Sequence, residues 1–362
     1  MGGELTVAIA VFLASAVLVM FCGAKLAVYG DALATLTGWG RLFVGSLLVA
    51  LATSLPELST NISAVQLDPP NPELAVGNVF GANMLNMFTL AAVALAFGGK
   101  RFLVQVAPEQ GYLIVVAVVM TGAAILFGAI QWGANVGEVG ISSIVLIVFF
   151  VLGMWWVYKN RPAADDGEEE NDPGMTLRKA WAMFGLVSLG VVIAGFFLAW
   201  STDEIADITG IASSTLGILL VSFVTTMPEA SSTIAAARIG AMDLGVAGLF
   251  GSCAFNVTIL FYADPFFREG VLGNSTEPAH FVAGGVAVGL MVAGFVLVMA
   301  RHRIGSTVAN VALALMATTY ICLFYTSPIP PDATLSRMPF SACTKSLYTS
   351  FFSFFFFYSF SL

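Results

Sequence analysis

About ten apolar runs, most of them near twenty residues long, limit what this chain can become more than any other feature of it. They cover approximately residues 5–28, 41–66, 74–97, 112–131, 138–158, 180–200, 211–239, 244–262, 279–300 and 304–325. A helix of about 20 apolar residues crosses a hydrocarbon core of about 30 Å. The runs therefore predict an all-α polytopic membrane protein of about ten transmembrane helices, with the lipid bilayer as its solvent. Composition agrees, since 58% of the residues are hydrophobic and 10% charged, where soluble domains carry roughly a quarter charged. The net charge of −8 gathers in loops, chiefly at Asp165, Asp166, Glu168, Glu169, Glu170 and Asp172. Such a block reads as a solvated connector, and no nucleic-acid partner is expected.

The basic residues give an orientation. With the N-terminus outside, the inward connections hold Lys25, Arg41, Lys100, Arg101, Lys159, Arg161, Arg178, Lys179, Arg238, Arg301 and Arg303, eleven of the 14. That is the bias of the positive-inside rule, and it predicts a cell-membrane protein with both termini extracellular. Residues 65–73 and 201–210 then lie outside and 159–179 inside. Ten helices divide into halves at 1–158 and 180–325, joined by the acidic linker 159–179. Because five is odd, the second half enters from the opposite face and the halves form inverted repeats. Residues 326–362 leave this pattern, and no role is assigned to them.

Inverted halves predict an echo in the sequence, and one is present. Residues 53–64, TSLPELSTNISA, align with 225–236, TTMPEASSTIAA; residues 77–86, GNVFGANMLN, align with 247–256, AGLFGSCAFN. Glu57 thus pairs with Glu229 and Asn86 with Asn256. The spacing from glutamate to asparagine is 29 residues in the first half and 27 in the second.

A carboxylate in the middle of an apolar span costs at least about 2.5–3.5 kcal/mol on insertion scales, and no basic residue sits at matching depth to offset it. Proline before each glutamate lacks an N–H, which predicts carbonyls of Ala52, Thr53, Val224 and Thr225 released from the helical ladder. Thr53 and Glu57, and likewise Thr225 and Glu229, stand four residues apart and are expected on one helix face. Asn86 and Asn256 add amide oxygens, and nearby glycines let the helices approach. Two carboxylates with neutral oxygens suit a hard cation, and Ca2+ accepts 6–8 oxygens in irregular geometry. Two or three Na+ ions can divide the same oxygens. A transition metal would recruit His or Cys, and His280 and His302 lie away from these motifs.

At these motifs the chain resembles the calcium/cation antiporter superfamily, specifically its sodium/calcium exchanger branch, whose repeats read approximately GTSLPE and GNVxGSNxxN. The resemblance implies Glu57 and Glu229 as central Ca2+ ligands, with Thr53, Thr225, Ser54, Thr226, Ser252, Asn86, Asn256 and the backbone around Ala52 and Val224 completing Ca2+ and Na+ sites. It also implies a first and a sixth helix that slide across the remaining bundle. The chain departs from the pattern at Ala82, which stands where the pattern has serine, and at Asn256, where exchangers often have Asp.

The expected function is secondary antiport of Ca2+ against Na+ by alternating access, with no cofactor and no enzymatic activity. Ca2+/H+ or another cation pairing is the alternative, and a cation channel is the second class. Cys22, Cys253, Cys322 and Cys343 show no paired spacing and read as apolar filler. The MGGELT start fits a myristoylation pattern, but a spanning helix follows it directly and makes a lipid anchor superfluous.

Overall fold

The computed structural model describes residues 2–66, 70, 72–160, 174–209 and 222–326. The acidic run, the tail and the start of the seventh predicted span fall outside these residues. Within them the chain is almost wholly helical. Helix α1 covers Gly2–Thr37, α2 Gly40–Thr53, α3 Leu55–Val65, α4 Pro72–Ala96, α5 Lys100–Val104, α6 Gln110–Ile130 and α7 Ile141–Lys159. The second half continues with α8 at Leu177–Thr209, α9 at Ser222–Thr225, α10 at Met227–Arg238, α11 at Met242–Ala263, α12 at Pro278–Ala300 and α13 at Ser306–Thr326. A two-residue antiparallel ribbon, β1 (Asn135–Val136) with β2 (Val139–Gly140), precedes α7.

Seven of these helices are long and apolar enough to cross a membrane, and the bent pair α2–α3 makes an eighth. The shorter apolar helix α13 and the pair α9–α10 occupy the remaining two predicted spans, so the polytopic architecture of about ten spans stands. A repeat is visible in the matching breaks: α2–α3 in one half corresponds to α9–α10 in the other.

Two expectations need correction. The first span was expected to end near residue 28 and the sixth near 200, but α1 continues to Thr37 and α8 to Thr209, with lengths of 36 and 33 residues. A charge ends an apolar run without ending a helix. At 1.5 Å per residue these helices are about 50 Å long, well over the hydrocarbon thickness, and their ends extend into the headgroup region or beyond. Asp31, in the extension of α1, is held by Arg41 at the start of α2 through a 2.5 Å ion pair. Lys25 is likewise inside α1 and not in a connection.

Burial sorts the helices by repeat. In the most apolar window of α11 94% of residues are buried and in α4 78%, against 28% in α1 and 33% in α8. The third helix of each half is therefore central and the first peripheral. Val7, Leu13 and Val17 of α1 and Leu186, Leu189 and Phe196 of α8 are exposed, as expected of a lipid-facing surface. The peripheral helices pack along one another, α1 also against α10 and α8 against α3. Two glycines set these crossings: a Cβ at Gly23 of α1 would meet the Pro228 backbone, and one at Gly195 of α8 would lie 2.7 Å from Pro56 Cγ. Gly23 and Gly195 are 172 residues apart, as are Pro56 and Pro228. Each peripheral helix thus rests on the broken helix of the opposite half.

Candidate cation site

The broken helices position the two glutamates. Ser54 (φ −89°, ψ 7°) interrupts the span α2–α3 of the first half and Thr226 (φ −84°, ψ 0°) the span α9–α10 of the second. Pro56 and Pro228 fall in the first turn of the helix that follows each break, where an N–H has no partner within its own helix and proline is tolerated. Between α2 and α3 the chain bends by 43°. A π-helical turn at Val44–Val49 precedes that bend, and its Ser46 backbone occupies the space a Cβ on Gly251 of α11 would need. The sequence analysis did not foresee this turn.

The bends change which residues meet. Thr53 and Glu57 were expected to share one continuous face, but the break lies between them. The hydroxyl of Thr53 turns back to the Val49 carbonyl at 3.0 Å, and that of Thr225 to the Ser222 carbonyl at 3.4 Å. The hydroxyl partners of the carboxylates come instead from the opposite half. Thr226 Oγ1 donates to Glu57 Oε1 at 3.2 Å. Ser54 Oγ donates to Glu229 Oε1 at 2.9 Å, and Thr225 and Thr53 stand beside Glu57 and Glu229 in the same crossed fashion. Ser252 Oγ also reaches Glu229 Oε1 at 2.9 Å and lies 2.5 Å from Ser54 Oγ. Ala82, the counterpart of Ser252, offers Glu57 no such contact.

Both glutamates are fully enclosed, at 1% and 2% exposure, yet each is only half satisfied. Glu57 Oε2 and Glu229 Oε2 have no hydrogen-bond partner, and neither do Asn86 Oδ1 and Asn256 Oδ1. Four acceptor oxygens from α3, α10, α4 and α11 are thus left over, two from each half. Buried acceptors are ordinarily paired, so an unpaired set with two carboxylates is an arrangement a cation would complete. Among the described residues no group of three or more His, Cys, Asp or Glu is gathered, which leaves an all-oxygen shell suited to hard cations.

Ala52 precedes Pro56 by four residues and Val224 precedes Pro228 by four, so neither carbonyl can receive the usual helical bond from those prolines. Sequence reasoning missed Asn83. Its amide donates to Thr121 Oγ1 and to the Cys253 carbonyl, both at 3.2 Å, and accepts from Asn256 Nδ2 at 3.2 Å. Asn83 therefore fixes which way the Asn256 amide faces. Its place inside the repeated motif GNVFGANMLN was the available signal, but the second half carries Cys253 at that position and the echo is broken.

Comparisons with known proteins agree with this architecture. The chain matches the sodium/calcium exchanger protein family over residues 7–159 and 179–358. It is 25% identical over 205 residues to an uncharacterized membrane protein of Methanocaldococcus jannaschii, covering 56% of this chain and 63% of that one. It is 22% identical over 264 residues to the inner membrane protein YrbG of Escherichia coli, covering 70% and 78% of the two chains. The solved sodium-calcium exchanger NCX_Mj, soaked with 2.5 mM Na+ and 0.1 mM Ca2+, superposes with a TM-score of 0.65 at 18% identity, over 89% of this chain and 99% of the other.

Proposed function

Because this chain belongs to the sodium/calcium exchanger protein family, we propose that it exchanges Ca2+ for Na+ across a cell membrane, at a site centred on Glu57 and Glu229. The observation that carries this reading is the set of four buried, unpartnered acceptor oxygens at Glu57, Glu229, Asn86 and Asn256. Two formal charges balance one Ca2+, and the hydroxyls of Ser54, Thr226 and Ser252 with the oxygens of Thr53, Thr225, Ala52 and Val224 extend the shell. Monovalent ions compete for the same oxygens, so release of one ion type follows entry of the other. The comparison with a solved sodium-calcium exchanger supports the arrangement of helices around this site. The halves 1–158 and 180–325, the linker 159–179 inside and both termini outside complete the reading.

Radiolabelled Ca2+ uptake into proteoliposomes tests it. An outward Na+ gradient drives uptake if the reading holds, and uptake indifferent to every counter-ion gradient would make the protein a channel. Ca2+/H+ exchange is the second reading, favoured by Ala82, which removes a hydroxyl from the neighbourhood of Glu57. It predicts uptake driven by an imposed pH gradient with Na+ absent.

A further inference from the structure

Three buried side chains near Glu57, two from the first half and one from the second, form a hydrogen-bonded ladder that the repeat does not duplicate at the related positions. Ser222 Oγ donates to Asn78 Oδ1 at 2.8 Å, and Asn78 Nδ2 donates to Asn61 Oδ1 at 2.9 Å. All three residues are buried. The ladder ends in an unpaired group, for Asn61 Nδ2 has no partner. Asn61 lies four residues beyond Glu57 on α3, hence on the same helix face, and Glu57 also ends in an unpaired atom.

The repeat shows how one-sided this is. The 172-residue offset that relates Glu57 to Glu229 relates Asn61 to Thr233 and Ser222 to Ala50; the 170-residue offset that relates Asn86 to Asn256 relates Asn78 to Gly248. Ala50 and Gly248 carry no polar side chain, so the opposite side cannot build a ladder. Asn61 lies past the break on α3, toward its end at Val65, and Asn78 lies in the second turn of α4 after Pro72. Asn61 and Asn78 therefore lie beyond Glu57 toward the Val65 end of α3 and the Pro72 start of α4.

We propose that Asn61, Asn78 and Ser222 are a neutral-oxygen relay through which the transported cation reaches and leaves Glu57 on the side of the Val65 end of α3 and the Pro72 start of α4, with no equivalent on the other side. A cation stripped of part of its water needs replacement oxygens along an otherwise apolar route. The ladder supplies them reversibly. A serine hydroxyl donates or accepts, and a carboxamide rotated by half a turn exchanges its NH2 for its oxygen at almost the same positions. In the sense described above, Asn61 ends in an NH2 group; in the reversed sense it ends in a carbonyl oxygen able to ligate a cation. The relay rests on the exchange reading and gives that reading a built-in sidedness.

Counterpart swaps test it. Asn61→Thr and Ser222→Ala install what the other half carries at the equivalent positions, and detergent melting curves check folding. Exchange is measured in right-side-out and inside-out vesicles, so that each face is titrated with Ca2+ and Na+ separately. Loss of one ligating oxygen raises the half-saturating concentration about 5-fold from the ladder face and leaves the opposite face unchanged. Asn61→Asp is the complementary variant, lowering half-saturation for Ca2+ from the ladder face alone. Equal shifts from both faces would make the ladder a brace for Glu57 and overturn the relay, as would unchanged titrations in all three variants. A parent chain with no exchange from either face would instead sink the exchange reading, and the relay with it.

Discussion

Asp264 and the pair Glu57–Glu229 are all buried carboxylates, and the chain treats them in opposite ways. Asp264 closes α11 and is fully enclosed, yet both its oxygens are taken: Gly140 N donates to one at 2.6 Å and Leu272 N to the other at 2.7 Å. Charge-assisted bonds of this kind offset much of the cost of burying the ion. The carboxylate becomes a rivet between α11, the ribbon before α7 and the turn at 272–274. The glutamates receive hydroxyl donors on one oxygen only, and the other is left bare although glycines and breaks have brought several helices within reach. Burial alone therefore does not single out the glutamates of the proposed site; the unfinished hydrogen-bond inventory does.

Neutralising the glutamates should give the largest effect. Glu57→Gln and Glu229→Gln each keep the shape and one oxygen but remove half the formal charge of the site, and Ca2+ exchange in proteoliposomes should fall by about 100-fold or more. Melting temperature in detergent should hardly change, since no internal salt bridge is lost. A variant that exchanges at the parental rate would place its glutamate with Asp264. The reverse experiment is Asp264→Ala, which strands two backbone N–H groups. It should cost about 2–4 kcal/mol of stability, read as a lowered melting temperature, while the protein that folds keeps its ion dependence. Selective loss of Ca2+ exchange without destabilisation would erase the contrast.

Smaller effects sharpen it. Ser252→Ala removes one of the two hydroxyls on Glu229 and should raise the half-saturating Na+ concentration in Ca2+-release titrations about 3- to 10-fold. Ala82→Ser should act in the opposite sense and more weakly, about 2-fold, because a new hydroxyl enters packing fitted to a methyl group. Unchanged half-saturation and Hill slope in both would mean that neither position touches Na+.

The burial of Glu57, Glu229, Asn86 and Asn256 was legible in the sequence because a polar residue inside an apolar run is conspicuous and because each recurs at similar spacing in the two halves. The spans were legible for the same reason, by hydropathy. Asp264 was not, since an acid at the end of an apolar run looks like any solvated loop residue until the backbone donors from 140 and 272 arrive. The crossing of partners, Thr226 to Glu57 and Ser54 to Glu229, is tertiary and leaves no trace in i, i+4 spacing. The π turn at Val44–Val49 is a matter of one backbone registration against α11, and its apolar sequence reads as ordinary helix. Asn61 and Asn78 were passed over because their counterparts, Thr233 and Gly248, do not repeat them.

The crossed hydroxyls also decide what a severed chain would do. A cut within 159–179 yields two polypeptides, each holding one glutamate whose donor from across the repeat resides on the other, Thr226 on the second piece and Ser54 on the first. Neither fragment alone contains a finished half of the proposed cation shell. Co-expressed pieces that recover ion binding must have found each other in the bilayer, so restored Ca2+ affinity would serve as a direct titration of fragment complementation.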